Sequence, residues 1–81
     1  ELSDTIKSEL VELLLPGNSK AIGKQIVNLE FPKTAMIILL SRNGKYIQPS
    51  GSTILEEGDK LLVLANNKEV VEEVKEDLGI I

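Results

Sequence analysis

The chain has 81 residues, 9 basic and 13 acidic side chains, a net charge of −4, and neither Cys nor His. An acidic surface with only Phe31 and Tyr46 as aromatics argues against nucleic acid, whose binding rests on phosphate neutralisation and stacking, and against an anionic membrane. Without Cys or His there is no disulfide, no structural zinc and none of the commonest catalytic groups, so the chain is not expected to be an enzyme.

One small domain fits this length. A domain of such size buries only about 60–65% of its unfolded surface, and with no covalent or metal staple the leading source of extra stability is oligomerisation. No apolar run approaches the ~18–20 residues of a membrane-spanning helix, and no cleavable leader is expected. The lack of Cys agrees with a cytosolic setting.

In chain order, residues 1–7 read as a polar lead-in, the end of a linker, and residues 8–81 as the domain. Residues 9–15 read as a strand stopped by Pro16-Gly17-Asn18. Ser19 offers an N-cap to a short helix with Ile22, Ile26 and Leu29 on one stripe. Gly23 inside that helix suggests close approach to a sheet, and Phe31-Pro32 ends it. Residues 35–40 (AMIILL) form a wholly apolar strand, and Asn43-Gly44 turns it into a returning strand over residues 45–48. Pro49-Ser50-Gly51 stops that strand. Residues 53–55 send Leu55 inward, Gly58-Asp59 turns, and residues 60–65 (KLLVLA) form the last strand. A helix over residues 68–78 follows, capped by Asn66 or Asn67, with Asn66 and Glu69 in capping-box spacing and Gly79 as its terminator.

The order is β-α-β-β-β-α, an α+β two-layer sandwich with a mostly antiparallel four-stranded sheet and two helices. The turns within residues 42–60 leave no room for a crossover helix, so the strands they join are antiparallel neighbours. Residues 35–40 and 61–65 are apolar at every position, so both sheet faces want cover. Two helices supply one layer. A second copy or an adjoining domain is the economical cover for the other.

Three motifs bear on chemistry. Residues 17–25 put five residues between glycines where a phosphate loop has four, with Gln25 in place of Ser or Thr, so a capped helix is the better reading. Lys20 and Lys24 at its start remain an anion-attracting pair. Glu56, Glu57 and Asp59 lack the spacing of a calcium loop and read as a solvated turn. Arg42, Asn43 and Tyr46 are the polar cluster beside the apolar strands, open to two readings: hairpin chemistry, or ligand contact through the Arg fork and the Asn amide. If the domain senses a ligand, Arg42, Asn43, Tyr46, Ile47, Gln48 and Pro49 are expected to touch it.

An ordered set of residues carries a family resemblance. It comprises Ser19-x-x-x-Gly23-Lys24-x-Ile26-x-x-Leu29, Ser41-Arg42-Asn43-Gly44, and Ile47-x-Pro49-x-Gly51-x-Thr53-x-Leu55-x-x-Gly58-Asp59-x-Leu61. The set resembles the TrkA-C (RCK-C) domain of potassium-transport regulatory subunits. With Phe31-Pro32-Lys33 it is most similar to versions appended to potassium/proton antiporters of the cell-volume-regulation type. The resemblance implies a regulatory homodimer on the cytoplasmic side of the membrane, tethered to a monovalent-cation transporter portion outside these residues. In some members it implies a small ligand such as cyclic di-AMP, or another small nucleotide, in a cleft at the dimer interface. Such members often place a His in the pocket; this chain has none, which leaves the ligand open. Two alternatives stand beside this reading: a ligand-free dimerisation module, and the sensor domain of a soluble potassium-channel regulatory subunit.

Overall fold

Four strands lie side by side in the computed structural model, which describes residues 8–80; the expected lead-in over residues 1–7 falls outside them. The strands are β1 (Glu9–Leu14), β2 (Ala35–Arg42), β3 (Lys45–Ile47) and β4 (Lys60–Ala65), in the order β1-β4-β2-β3. Every pairing is antiparallel. β4 and β2, whose apolar runs face both sides, lie inside the sheet, where both edges of β4 are hydrogen-bonded along its length. The inward residues of β4, Leu61, Val63 and Ala65, are fully buried. Leu13 and Leu40 flank Leu61 across the ladder, and Val11 and Ile37 flank Val63.

One helix, α1 (Lys68–Leu78), covers the inner face with Val70, Val71, Val74 and Leu78. Its cap is Asn67, whose side-chain oxygen accepts the Val70 N–H at 2.9 Å, one residue later than the capping-box spacing suggested. At the other end Gly79 turns left-handed at φ 73°. Its N–H donates to the Glu76 carbonyl at 3.0 Å and the Ile80 N–H to Lys75 at 2.8 Å, satisfying the last turn while Ile80 packs on the core. Replacing Asn67 by Ala is expected to cost about 1 kcal/mol in urea-induced unfolding, the usual loss of a single N-cap. A loss below the error of the measurement would show that the cap carries no weight.

The α+β class, the antiparallel sheet and the C-terminal helix agree with the sequence. The first expected helix does not form. Residues 20–23 make a turn, Gly23 takes φ 84°, and a three-residue 3-10 helix at Ile26–Asn28 is all the helix that follows. The reason is competition for backbone hydrogen bonds. The Gly23 N–H donates to Leu55 O at 2.8 Å, and the Leu55 N–H donates back to Lys24 O at 3.0 Å. The Ile26 and Val27 N–H groups donate to Thr53 and Gly51, each at 2.9 Å. Two irregular segments thus satisfy each other, with Gln25 and Ile54 as an isolated bridge. The apolar stripe still reaches its target, since Ile26 and Leu29 pack against the core. Gly23 serves the positive φ and not a close approach, because a Cβ there would meet nothing within 4 Å.

The β2–β3 hairpin turns as expected on Asn43 (φ 53°) and Gly44 (φ 78°), the pair of positive φ angles that matches strand twist. Leu55 is fully buried. The outer face of the sheet carries Leu10, Leu14, Met36, Ile38 and Tyr46 as exposed residues, with no layer of the described residues over them. A bulge between Ile37 and Leu39 leaves Ile38 unpaired in the ladder.

Candidate functional site

The hairpin strands differ in length, and a cleft results. β3 pairs with β2 only from Arg42 back to Leu40, so among the described residues the first half of β2 has no strand on that side. Pro49 takes the chain away from the ladder, since it has no N–H to donate. The cleft measures about 310 Å³ and is lined by Ile26, Phe31, Ala35, Met36, Ile37 and Pro49, with Ser50 and Gly51. Its loop wall is tied down by a hydrogen bond and close packing. The Ser50 N–H donates to Thr53 Oγ1 at 3.0 Å, and Gly51 lies so close to Val27 that an added Cβ would stand 3.3 Å from the Val27 Cβ.

A smaller depression of about 240 Å³ shares Ala35 and Met36 with the cleft and adds Lys33, Thr34, Leu64 and Asn66. Together they form an apolar floor with one cation and several neutral polar groups at its margin. That composition suits a planar, partly apolar ligand bearing a negative charge.

The charged cluster lies at the other end of β2. The Arg42 fork donates from Nε to Asp59 Oδ1 at 2.8 Å and from Nη2 to Asp59 Oδ2 at 2.7 Å. Nη2 also reaches the Ile54 carbonyl at 2.9 Å, and Nη1 lies 3.1 Å from Glu56 Oε2. Asp59 is fully buried and accepts the Glu56 N–H as well, at 2.9 Å. Burial pushes the Asp59 carboxyl up, but the Arg42 hydrogen bonds, the Glu56 N–H and the guanidinium charge together hold it below the usual carboxylate range. The same pairing raises Arg42 further above its already high value, chiefly through the bond to Asp59. The arrangement clamps residues 54–59 to the sheet.

The six residues expected to touch a ligand are therefore spread along the hairpin. Pro49 lines the cleft, and Gln48 precedes it on the exposed surface. Ile47 packs inward against the core. Arg42 holds Asp59 and Glu56, Asn43 forms the tip of the turn, and Tyr46 stands 77% exposed on the outer face. Glu56 and Asp59 of the acidic turn both face Arg42. Ile26, Phe31, Ala35, Met36 and Ile37 were not expected at a site, because apolar residues in regular elements read as core. The usable signal was the mismatch between a long second strand and a third strand cut short by Pro49.

Comparison with known proteins gives this geometry a family. The TrkA-C domain model matches residues 10–79. The Trk system potassium uptake protein TrkA of Mycobacterium tuberculosis is 35% identical over 75 residues, which cover 93% of this chain and 32% of that protein. TrkA homolog 2 of Methanosarcina mazei is 34% identical over 59 residues, 73% of this chain and 13% of its own length. The chain thus spans a third or less of the curated relatives it matches. Among solved structures, one described as an RCK domain with cda superposes with a TM-score of 0.73 at 33% identity, covering 85% of this chain and 96% of that one. The RCK_C domain dimer of Streptococcus agalactiae BusR with c-di-AMP superposes at 0.72 over 86% of this chain and 95% of that one; at 23% identity it bears on the fold alone. No helix among the described residues is long and apolar enough to cross a membrane. The strand order, the single closing helix and the match over nearly the whole length lead to one conclusion: the chain belongs to the TrkA-C domain family.

Proposed function

We propose that this domain regulates a monovalent-cation transporter from the cytoplasmic side, working as a homodimer and biased by a small nucleotide of the cyclic di-AMP type. The observation that carries the reading is the cleft beside Ala35–Ile37 and Pro49. It is apolar on its floor, walled by the hydrogen-bonded loop at Ser50, and adjoined by the depression that Lys33 lines. The 33% identical RCK domain solved with cda supports the same ligand class. One copy offers too shallow a recess to enclose a cyclic dinucleotide, whereas two copies related by a two-fold axis offer two equal half-sites to a ligand of the same symmetry. Regulation then follows without chemistry: a ligand that binds one arrangement of the pair better shifts the population by its differential affinity. Potassium/proton antiport is the transport reading in keeping with Phe31-Pro32-Lys33 and Ser41-Arg42-Asn43-Gly44.

Calorimetric titration with cyclic di-AMP tests the ligand. Saturable binding is expected, and Ser50→Trp, which fills the cleft from an exposed position, should weaken it at least about tenfold without lowering the melting temperature. If neither cyclic di-AMP nor AMP moves the melting temperature at millimolar concentration, the domain is a ligand-free dimerisation module.

A further inference from the structure

A second recess opens where the end of α1 meets residues 20–30. It measures about 340 Å³, against about 310 Å³ for the cleft, and is the more enclosed of the two. Lys20 and Lys24 bring two ammonium groups to its lining, Glu30 and Asp77 two carboxylates, and Asn28 an amide. Ala21 and Leu29 supply its apolar part.

The backbone around the recess is tied down. Ala21 is fully buried, its N–H donates to Ser19 Oγ at 3.2 Å, and the Ser19 hydroxyl donates to the Leu78 carbonyl beside Asp77. The Lys24 carbonyl accepts the Leu55 N–H at 3.0 Å, and the Asn28 and Leu29 N–H groups donate to Gln25 and Ile26 at 2.9 and 3.0 Å. A Cβ on Gly79 would stand 3.3 Å from the Lys20 nitrogen, so the end of α1 touches the Lys20 main chain. The charged heads are not spent on one another. The ion pairs among the described residues lie elsewhere, at Arg42 with Glu56 and Asp59 and between Lys75 and Glu72. Asp77 also stands in the last turn of α1, where the helix dipole disfavours a carboxylate and favours a cation. An ammonium group brought to Asp77 by a ligand relieves that conflict, and a local rule broken in this way marks a candidate site.

Charge selects the ligand. An anion that reached the two lysines would meet Glu30 and Asp77, and a metal ion that reached the carboxylates would meet the lysines. A molecule with both signs and no net charge suits both pairs. We propose that this recess binds a free α-amino acid, with its carboxylate on Lys20 and Lys24 and its ammonium group on Glu30 and Asp77. Asn28 offers a further hydrogen bond, and Ala21 and Leu29 lie beside the ligand's side chain. The recess shares no residue with the cleft, so the site stands whether or not the cleft takes a nucleotide.

Nitrogen–proton correlation NMR on this chain tests it, with L-glutamine as the probe because its side chain is uncharged. Saturable shifts of the Lys20, Ala21, Asn28 and Asp77 amides are expected at roughly millimolar concentration. N-acetyl-L-glutamine lacks the ammonium group and L-glutaminamide lacks the carboxylate; each should bind at least about tenfold more weakly. Asp77→Asn should cost about the same factor without lowering the melting temperature, since it takes a carboxylate away from a helix C-terminus. Glu73→Gln, on α1 but outside the recess, should leave binding unchanged. Glutamine that moves none of these amides at tens of millimolar overturns the proposal. Equal binding of the singly charged derivatives overturns it too, as does a folded Asp77→Asn chain that binds as tightly as the wild type.

Discussion

Replacing Asp59 by Ala is expected to remove about 3–5 kcal/mol from a domain whose whole stability is of order 5–15 kcal/mol, so that a large fraction unfolds on mild heating. The carboxylate is fully buried and accepts three hydrogen bonds, two from the Arg42 fork and one from the Glu56 N–H. Its loss strands a guanidinium whose side chain is only 22% exposed, with Glu56 and the Ile54 carbonyl as remaining partners. The loss also frees residues 54–59, the segment whose backbone holds Leu15 through bonds from Leu15 N–H to Asp59 O and from Gly58 N–H to Leu15 O. Urea unfolding followed by far-UV circular dichroism measures the cost; a value under about 1 kcal/mol would falsify the clamp. Changing both partners together, Arg42→Met with Asp59→Leu, should recover most of the loss, because a buried pair is weak against an apolar isostere and strong against its own half.

The clamp also fixes the acid response. The folded-state carboxyl of Asp59 titrates below its ordinary 3.8, so the stability it adds is complete above that value and drains away as pH falls through the lower folded-state value. The Asp59→Ala chain should show a flatter decline of stability over that acid range than the wild type.

Leu55→Ala is the second large effect, expected at about 2–5 kcal/mol by the same urea measurement. Leu55 is fully buried although it belongs to no strand or helix. Its backbone exchanges bonds with Gly23 and Lys24, so its side chain anchors the junction between the two irregular segments. Truncation leaves a cavity that residues tied on both sides cannot close. A loss confined to a few tenths of a kcal/mol would mean that the junction relaxes freely around the gap.

The strands, the hairpin and α1 were legible because each is signalled locally. Asn43-Gly44 demands the turn it makes, residues 60–65 are apolar enough for an inner strand, and Val70, Val71, Val74 and Leu78 keep one helical face. The stripe of Ile22, Ile26 and Leu29 misled because a helix and a docked loop can both place such residues inward. What decided between them was a backbone partner some thirty residues away, at Thr53 and Leu55, which no window of sequence contains. Asp59 read as a turn residue for the same reason: its partner Arg42 lies on another strand. The cleft was hidden in a difference of strand lengths, a property of the pairing and not of any one residue.

The strand order has a consequence for how the chain becomes folded. β4 lies between β1 and β2, yet it is the last strand along the chain. During synthesis the β2–β3 hairpin can close on its own turn, while β1 has no ladder partner until Lys60–Ala65 has emerged. Glu9 then finds Ala65 across most of the chain, a long loop to close before any of its contacts are gained. Assembly of the sheet is therefore governed by its final strand, and until that strand arrives the leucine-rich β1 is the segment most exposed to mispairing.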